Sequence, residues 1–207
     1  MQTIHIFAAR ELIQQVEQHQ PVAVLSIEHP GVAADHDGRA PRLYAEHNIK
    51  HVRQYIQSYY DTETPHRLAP SFRHVNDGLF FLQENAKLGT VAVHCRRGKS
   101  RSVAMGIAFL VATNPQVPFV DIIEHVKKIR PIAAPNILII QHTDKLFNLR
   151  GELTRAVLAD KQLTAAREEA NAKRAAWAES NPDWENVGPD LNQSHGTHSR
   201  HLPRSRI

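Results

Sequence analysis

Apolar positions along the chain follow two periods, and their alternation predicts the architecture. Ile4, Ile6 and Ala8 alternate with polar or smaller neighbours and predict a short strand over 3–8. Leu12, Ile13 and Val16 have helical spacing within 10–20, and residues 21–27 form an almost continuous apolar run. A run of that kind predicts a strand buried on both faces. Residues 28–42 contain Pro30, Gly31, Asp35, Asp37, Gly38 and Pro41 and predict a loop. Residues 44–60 give a mixed signal, a short turn or a strand ending near Tyr59-Tyr60-Asp61, followed by a polar loop with Pro65.

Pro70-Ser71 opens a predicted helix with Phe72, Val75, Leu79, Leu82 and Ala86 on its apolar face, and Gly89 closes it. The β-branched run from Val91 then predicts a strand, and residues 103–112 predict a buried helix. After a turn at 114–118, with Pro118 suited to a first helical position, Phe119, Ile122, Ile123, Val126 and Ile129 line another helix. Pro131 stops it, and Pro135-Asn136 start one more through Ile137, Ile140 and Phe147. Alternating strands and helices predict an α/β fold with a sheet covered by helices. Residues 1–150 are expected to form this domain and 151–180 a helical extension. Leu153, Val157 and Leu158 of the extension are expected to pack on the domain, and the Ala- and charge-rich 164–180 to face solvent. Residues 181–207, polar with few apolar positions, are expected to be disordered.

At 207 residues and 42% hydrophobic content the chain can bury a substantial core as a soluble protein. Its single cysteine excludes an internal disulfide and suits a reducing compartment. The opening Met1-Gln2-Thr3-Ile4-His5-Ile6 has neither a basic start nor an apolar run, so no secretory signal is expected. The longest apolar stretch, 103–112, is about half a membrane span. A soluble, cytoplasmic protein follows, with its oligomeric state left open. The formal charge of +4 is concentrated before residue 151, because eight Lys/Arg balance eight Asp/Glu beyond it. Arg96, Arg97, Lys99 and Arg101 make the field local to one loop, which favours anionic substrates. With no basic stripe interleaved with aromatics elsewhere, a nucleic-acid partner is not expected.

That loop, Val91-Ala92-Val93-His94-Cys95-Arg96-Arg97-Gly98-Lys99-Ser100-Arg101-Ser102, joins a strand to a helix N-terminus. Successive amides at such a turn form a nest for a phosphate-sized anion, and the helix dipole favours negative charge there. A cysteine beside a positive helix end is expected as thiolate. Arg101 can grip two oxygens with its planar fork, Gly98 permits a φ that a Cβ resists, and Ser102 can stabilise the thiolate as it leaves. A nucleotide-binding P-loop ending in Gly98-Lys99-Ser100 would need glycine where Val93 stands, so that motif is excluded. A buried structural cysteine would not be ringed by so many cations.

His94-Cys95, five intervening residues and Arg101-Ser102 resemble the signature of cysteine-dependent protein tyrosine phosphatases, and 98–102 looks like the dual-specificity branch. Low-molecular-weight phosphatases and arsenate reductases carry a similar loop near the N-terminus, and sulfurtransferases a shorter one without the Arg-Ser pair. The resemblance covers roughly 20–150. It implies a phosphotyrosine protein phosphatase-like fold with a mainly parallel sheet, and a metal-independent hydrolysis needing no cofactor. In that chemistry Cys95 attacks phosphorus, Arg101 binds the equatorial oxygens, and a phosphocysteine forms and is hydrolysed. Arg96, Arg97, Gly98, Lys99, Ser100 and His94 would form the substrate-binding loop, with His94 holding it by hydrogen bonds. The family places an acid some thirty residues upstream of the cysteine. Asp61 fits that place, with Glu63 as the alternative; Asp77 and Glu84 fall in the predicted helix, and Asp35 and Asp37 lie far upstream.

Arg130-Pro131-Ile132-Ala133-Ala134-Pro135-Asn136 also looks like a dual-specificity segment. In it Asn136 either lies at the pocket rim, helping to place the hydrolytic water, or only caps a helix. Phosphotyrosine and phosphoserine/threonine in proteins are the leading substrates. Phosphoinositides or other polyphosphorylated small molecules come second, because extra loop cations suit extra phosphates, and a non-catalytic phosphate-binding module comes third. His195, His198 and His201 recur every third residue, but free histidines in a polar tail are expected there, not a metal site.

Overall fold

The computed structural model describes residues 3–180. The polar tail and its histidines lie outside the described residues. Strands β1 (Ile4–Ala8), β2 (Ala23–Glu28), β3 (Arg53–Ser58) and β4 (Val91–Cys95) form one sheet in the order β1-β4-β2-β3, every pair parallel. A parallel sheet needs crossover helices on its faces. Here α1 (Leu12–His19) and the short α2 (Leu43–His47) serve one face, and α3 (Phe72–Ala86) and α4 (Arg101–Thr113) the other. A single 3₁₀ turn, Ala9–Glu11, leads into α1.

Alternation along the strands sorts side chains between two cores. Phe7, Val24 and Ala92 meet Leu12, Val16 and Leu43 on the α1 face. Ile6, Leu25, Val91 and Val93 meet Leu79, Leu82, Met105, Ile107 and Phe109 on the other, larger face. The expected α4 is buried almost all round, which explains its unbroken apolar sequence. Beyond it come α5 (Phe119–Ile129), α6 (Ile137–Leu146), α7 (Glu152–Ala159) and α8 (Lys161–Ser180). Leu153, Val157 and Leu163 are buried in the larger core. Among the described residues no helix is long and apolar enough to cross a membrane.

The mixed stretch 44–60 contains both α2 and β3. β3 is an edge strand with polar Arg53, Gln54, Gln57 and Ser58, so its sequence lacks the apolar run of β2. Three apolar positions differ from the expected pattern. Phe72 is 46% exposed, Ile129 39% and Leu158 40%. Phe72 and Ile129 are the first and last residues of their helices, where the core-facing stripe runs off the domain. Pro118 stands at the N-cap of α5, one place before the expected first position.

Leu82 and Phe72 share α3 but differ in burial, and their truncations should differ accordingly. Leu82→Ala is expected to cost about 2–5 kcal/mol in urea unfolding. Phe72→Ala should cost under about 1 kcal/mol; equal losses would contradict this assignment of the α3 face.

Candidate active site

Parallel strands bring their carboxyl ends to one edge, and the loop after β4 sits there. The register pairs Cys95 with Ala8 on one side and Ile27 on the other, so the cysteine ends a strand held on both edges. Its side chain is 3% exposed, and Sγ lies 3.1 Å from Ser102 Oγ in the first turn of α4.

The backbone of 96–100 turns its carbonyls away from the loop's centre. Arg96 O accepts from Ala9 N at 3.2 Å and Lys99 O from Ala134 N at 2.8 Å. Gly98 O accepts from Arg130 Nε at 2.8 Å and Arg97 O from Arg130 Nη2 at 3.3 Å. Arg130 is itself held by Glu11, with Nη1 to Oε2 at 2.9 Å. Carbonyls tied outward leave the opposite side of those peptide units, the N–H side, facing the concavity. Among the described residues the amides of Arg96, Arg97, Lys99 and Ser100 meet no acceptor. Gly98 makes the turn possible at φ +62°, and a Cβ there would stand 2.6 Å from the Phe7 carbonyl oxygen. The sequence singles out neither Glu11 nor, beyond its place in the 130–136 segment, the role of Arg130; a basic residue 32 positions beyond the glycine gives no local signal of this contact.

Arg101 is 2% exposed. Its Nη1 donates to Tyr59 O at 2.6 Å and Glu28 O at 3.1 Å, carbonyls at or just past the ends of β3 and β2. Its Nε is buried without a protein partner among the described residues. A buried guanidinium is costly unless paired, and two backbone dipoles satisfy only one of its nitrogens. The remaining capacity suits an anion.

His94 is fully buried, so it supports the loop from within and does not line its mouth. Its Nε2 lies 2.8 Å from Ser26 Oγ, which also accepts from Gln54 Nε2 at 2.8 Å. Burial pushes the imidazole down to about 3, Arg101 and Arg42 push the same way, and the ring is neutral. His29, which the sequence did not single out, is likewise pushed down to about 3 by burial, with Arg101 and Arg96 adding to the effect. Of the expected substrate-binding cations, Arg96 is turned to Asp37, with Nε to Oδ2 at 2.9 Å. Arg97 is exposed and Lys99 half-buried.

The 61–63 segment is drawn to this loop by polar contacts. Asp61 Oδ1 accepts from Ser100 Oγ at 2.7 Å and from Asn136 Nδ2 at 2.9 Å, and Oδ2 accepts from Arg174 Nη1 at 2.9 Å. Asn136 performs two tasks at once. Its Oδ1 caps α6 by accepting from Ile139 N at 3.2 Å, while Nδ2 holds Asp61 and the Thr62 carbonyl. Glu63 is fully engaged: Oε1 accepts from Ile137 N at 2.9 Å, and Oε2 from Arg167 at 2.8 Å and Asn171 at 2.9 Å. Burial alone would raise the Asp61 carboxyl, but Arg174, Arg101 and the bonds from Asn136 and Ser100 hold it below its ordinary value. One side of the predicted solvent-facing helix is therefore turned to the acidic loop. Its signal was the spacing of Arg167, Asn171 and Arg174, which lie on one face of a helix.

No protein-family model matches this chain, and no curated protein matches its sequence. Solved structures do match in shape. A point variant of human DUSP28 superposes with a TM-score of 0.56 at 16% identity, over 72% of this chain and 94% of that one. DUSP15 gives 0.54 at 17% identity over 78% and 95%. PTPMT1 in complex with PI(5)P gives 0.52 at 19% identity over 72% and 96%. With a parallel sheet, a cysteine loop at its carboxyl edge and helices on both faces, this chain has the fold of the dual-specificity phosphatases.

Proposed function

We propose that this protein hydrolyses phosphate monoesters, foremost phosphotyrosine, phosphoserine and phosphothreonine in proteins, through a phosphocysteine. The observation that carries the reading is the pairing of Arg101 with Cys95 at one loop. The guanidinium is anchored through Nη1 while buried Nε is unpartnered, and the thiol lies against Ser102. A phosphate seated on the loop amides would take that nitrogen as its partner.

In the first step Cys95 Sγ, as thiolate, forms an S–P bond and the P–O bond to the leaving group breaks. Asp61, as its acid, gives a proton to the departing oxygen. Without substrate Asp61 is a carboxylate; the arrival of a phosphate dianion raises its proton affinity by like-charge repulsion and lets it take up the proton it later donates. In the second step Asp61 accepts a proton from water, the water oxygen bonds to phosphorus, and the S–P bond breaks. Ser102 Oγ, 3.1 Å from sulfur, stabilises the departing thiolate by hydrogen bonding. Glu63 is a poorer acid candidate, since its partners lie on α6 and α8, whereas Asp61 is bonded to Ser100 of the Cys95 loop.

Protein substrates lead because the extra cations do not converge inside the loop. Arg96 is paired with Asp37, Arg97 is exposed and Lys99 only half-buried, so Arg101 is the one fully buried cation of the loop. The lipid reading is kept by one neighbour, PTPMT1, whose structure was solved with PI(5)P. Phosphate release from a panel of phosphopeptides and phosphoinositides tests both. Turnover confined to phosphoinositides would reverse the order, and tight phosphate binding with no turnover would favour a binding module.

Cys95→Ser should abolish release of phosphate from 4-nitrophenyl phosphate; residual turnover near the wild-type rate would refute the thiolate mechanism. Arg101→Lys should lower kcat/KM by roughly 10²-fold or more, because a point charge cannot keep Nη1 on its two carbonyls and still offer a fork to phosphate. For a poor leaving group such as phenyl phosphate, Asp61→Asn should reduce kcat by roughly 10²–10⁴-fold. An unchanged rate there would remove Asp61 from the mechanism.

A further inference from the structure

We propose that α8 is part of the site and that Arg174 is a positioning residue, holding the Asp61 carboxyl against the Cys95 loop from outside the sheet. The proposal rests on the reading of Asp61 as general acid. It stands on this chain's own contacts.

Residues 61–68 are exposed or half-buried, so apolar packing does little to fix where Asp61 points. Polar ties fix it from two sides. Ser100 and Asn136 pull one carboxylate oxygen toward the loop, and the Ile137 amide holds Glu63. From the other side α8 offers Arg167, Asn171 and Arg174 on a single face. Arg167 and Asn171 share Glu63 Oε2, and Arg174 takes Asp61 Oδ2 at 2.9 Å. Arg174 Nη2 also donates to Asn171 Oδ1 and lies 3.9 Å from Glu63 Oε1, so its fork is fixed within this network.

α8 is held at its start by other means, which makes it a fixed arm. Leu163 is buried in the core, and Asp160 caps the first turn by accepting from Leu163 N at 2.9 Å. Asp160 is also tied to Lys127 on α5 at 2.7 Å. Leu163 is the one buried residue of α8, and farther along the helix Arg167, Asn171 and Arg174 hold Glu63 and Asp61 through charge and hydrogen bonds. The Ala-rich sequence supplies helical rigidity over that span.

Several groups act on Asp61 at this place: Arg174 from α8, Arg101 from α4, His29 from the loop after β2, Tyr59 two residues before it, and Glu63 in its own loop. His29 is neutral, so the two arginines are the cations that favour the carboxylate. Removing the Arg174 charge raises the proton affinity of Asp61. The step that needs the protonated acid then persists to higher pH, and the alkaline limb of kcat moves up, not down.

The test is the pH dependence of kcat for phenyl phosphate with the full chain. Arg174→Gln should move the alkaline limb upward by roughly one pH unit, whereas Arg174→Lys, which restores the charge, should leave it near the wild-type position. Asn171→Ala frees Arg174 Nη2 and cuts one tie between α8 and Glu63 with no change of charge, and should shift the limb in the same direction by less. In an Asp61→Asn background the limb should be gone and Arg174→Gln should add nothing. A limb that Asp61→Asn abolishes but neither Arg174→Gln nor Asn171→Ala moves would overturn the role of α8 while leaving the general acid in place. A limb that survives Asp61→Asn would overturn the acid assignment itself. Melting temperatures of the variants separate a shifted limb from lost structure, and Asn171→Ala carries the test should Arg174→Gln fail to fold.

Discussion

A guanidinium inside the carboxyl edge of a parallel sheet is the constraint around which the rest is arranged. Arg101 is buried, and water cannot satisfy it. Its Nη1 reaches the carbonyls of Glu28 and Tyr59, so a side chain from the start of α4 ties together the ends of β2 and β3 beside β4. Those carbonyls are available because parallel strands point their C=O-terminated ends the same way. The arrangement leaves Arg101 Nε without a protein partner among the described residues, and the proposed phosphate site uses that nitrogen.

The amide nest depends on an analogous outward pull. Glu11 fixes Arg130, Arg130 takes the carbonyls of Arg97 and Gly98, and the amides of Ala9 and Ala134 take those of Arg96 and Lys99. The loop is therefore shaped by residues from the turn after β1, from the end of α5 and from the segment before α6. None of them need touch the bound group, yet each governs the direction in which an N–H points. Gly98 is the one position in this ring where a side chain would strike the Phe7 backbone.

Much of this was legible in the sequence. The spacing from His94 to Ser102 identified the loop because fixed residue types at fixed intervals encode local geometry. The apolar stripe of α3 and the unbroken run of α4 reported their burial. Reading failed where the interaction was long-range and polar. β3 is an edge strand that meets water, so its pattern was mixed, and Phe72 lay at a helix end where periodicity continues after the core has stopped. Asn136 caps α6, as one of its two readings has it, and also holds the Asp61 loop, a contact contained in neither. α8 was read as solvated because an apolar stripe is absent; its contact face is made of Arg167, Asn171 and Arg174, whose partners are more than 100 positions away.

The lone sulfhydryl gives the molecule a further property. Cys95 is the only such group in the chain, and it is buried next to Ser102 where a small reagent must enter the nest to reach it. Alkylation therefore reports on this one position, with no background from other thiols. Protection against alkylation by an oxyanion reads occupancy of the nest directly.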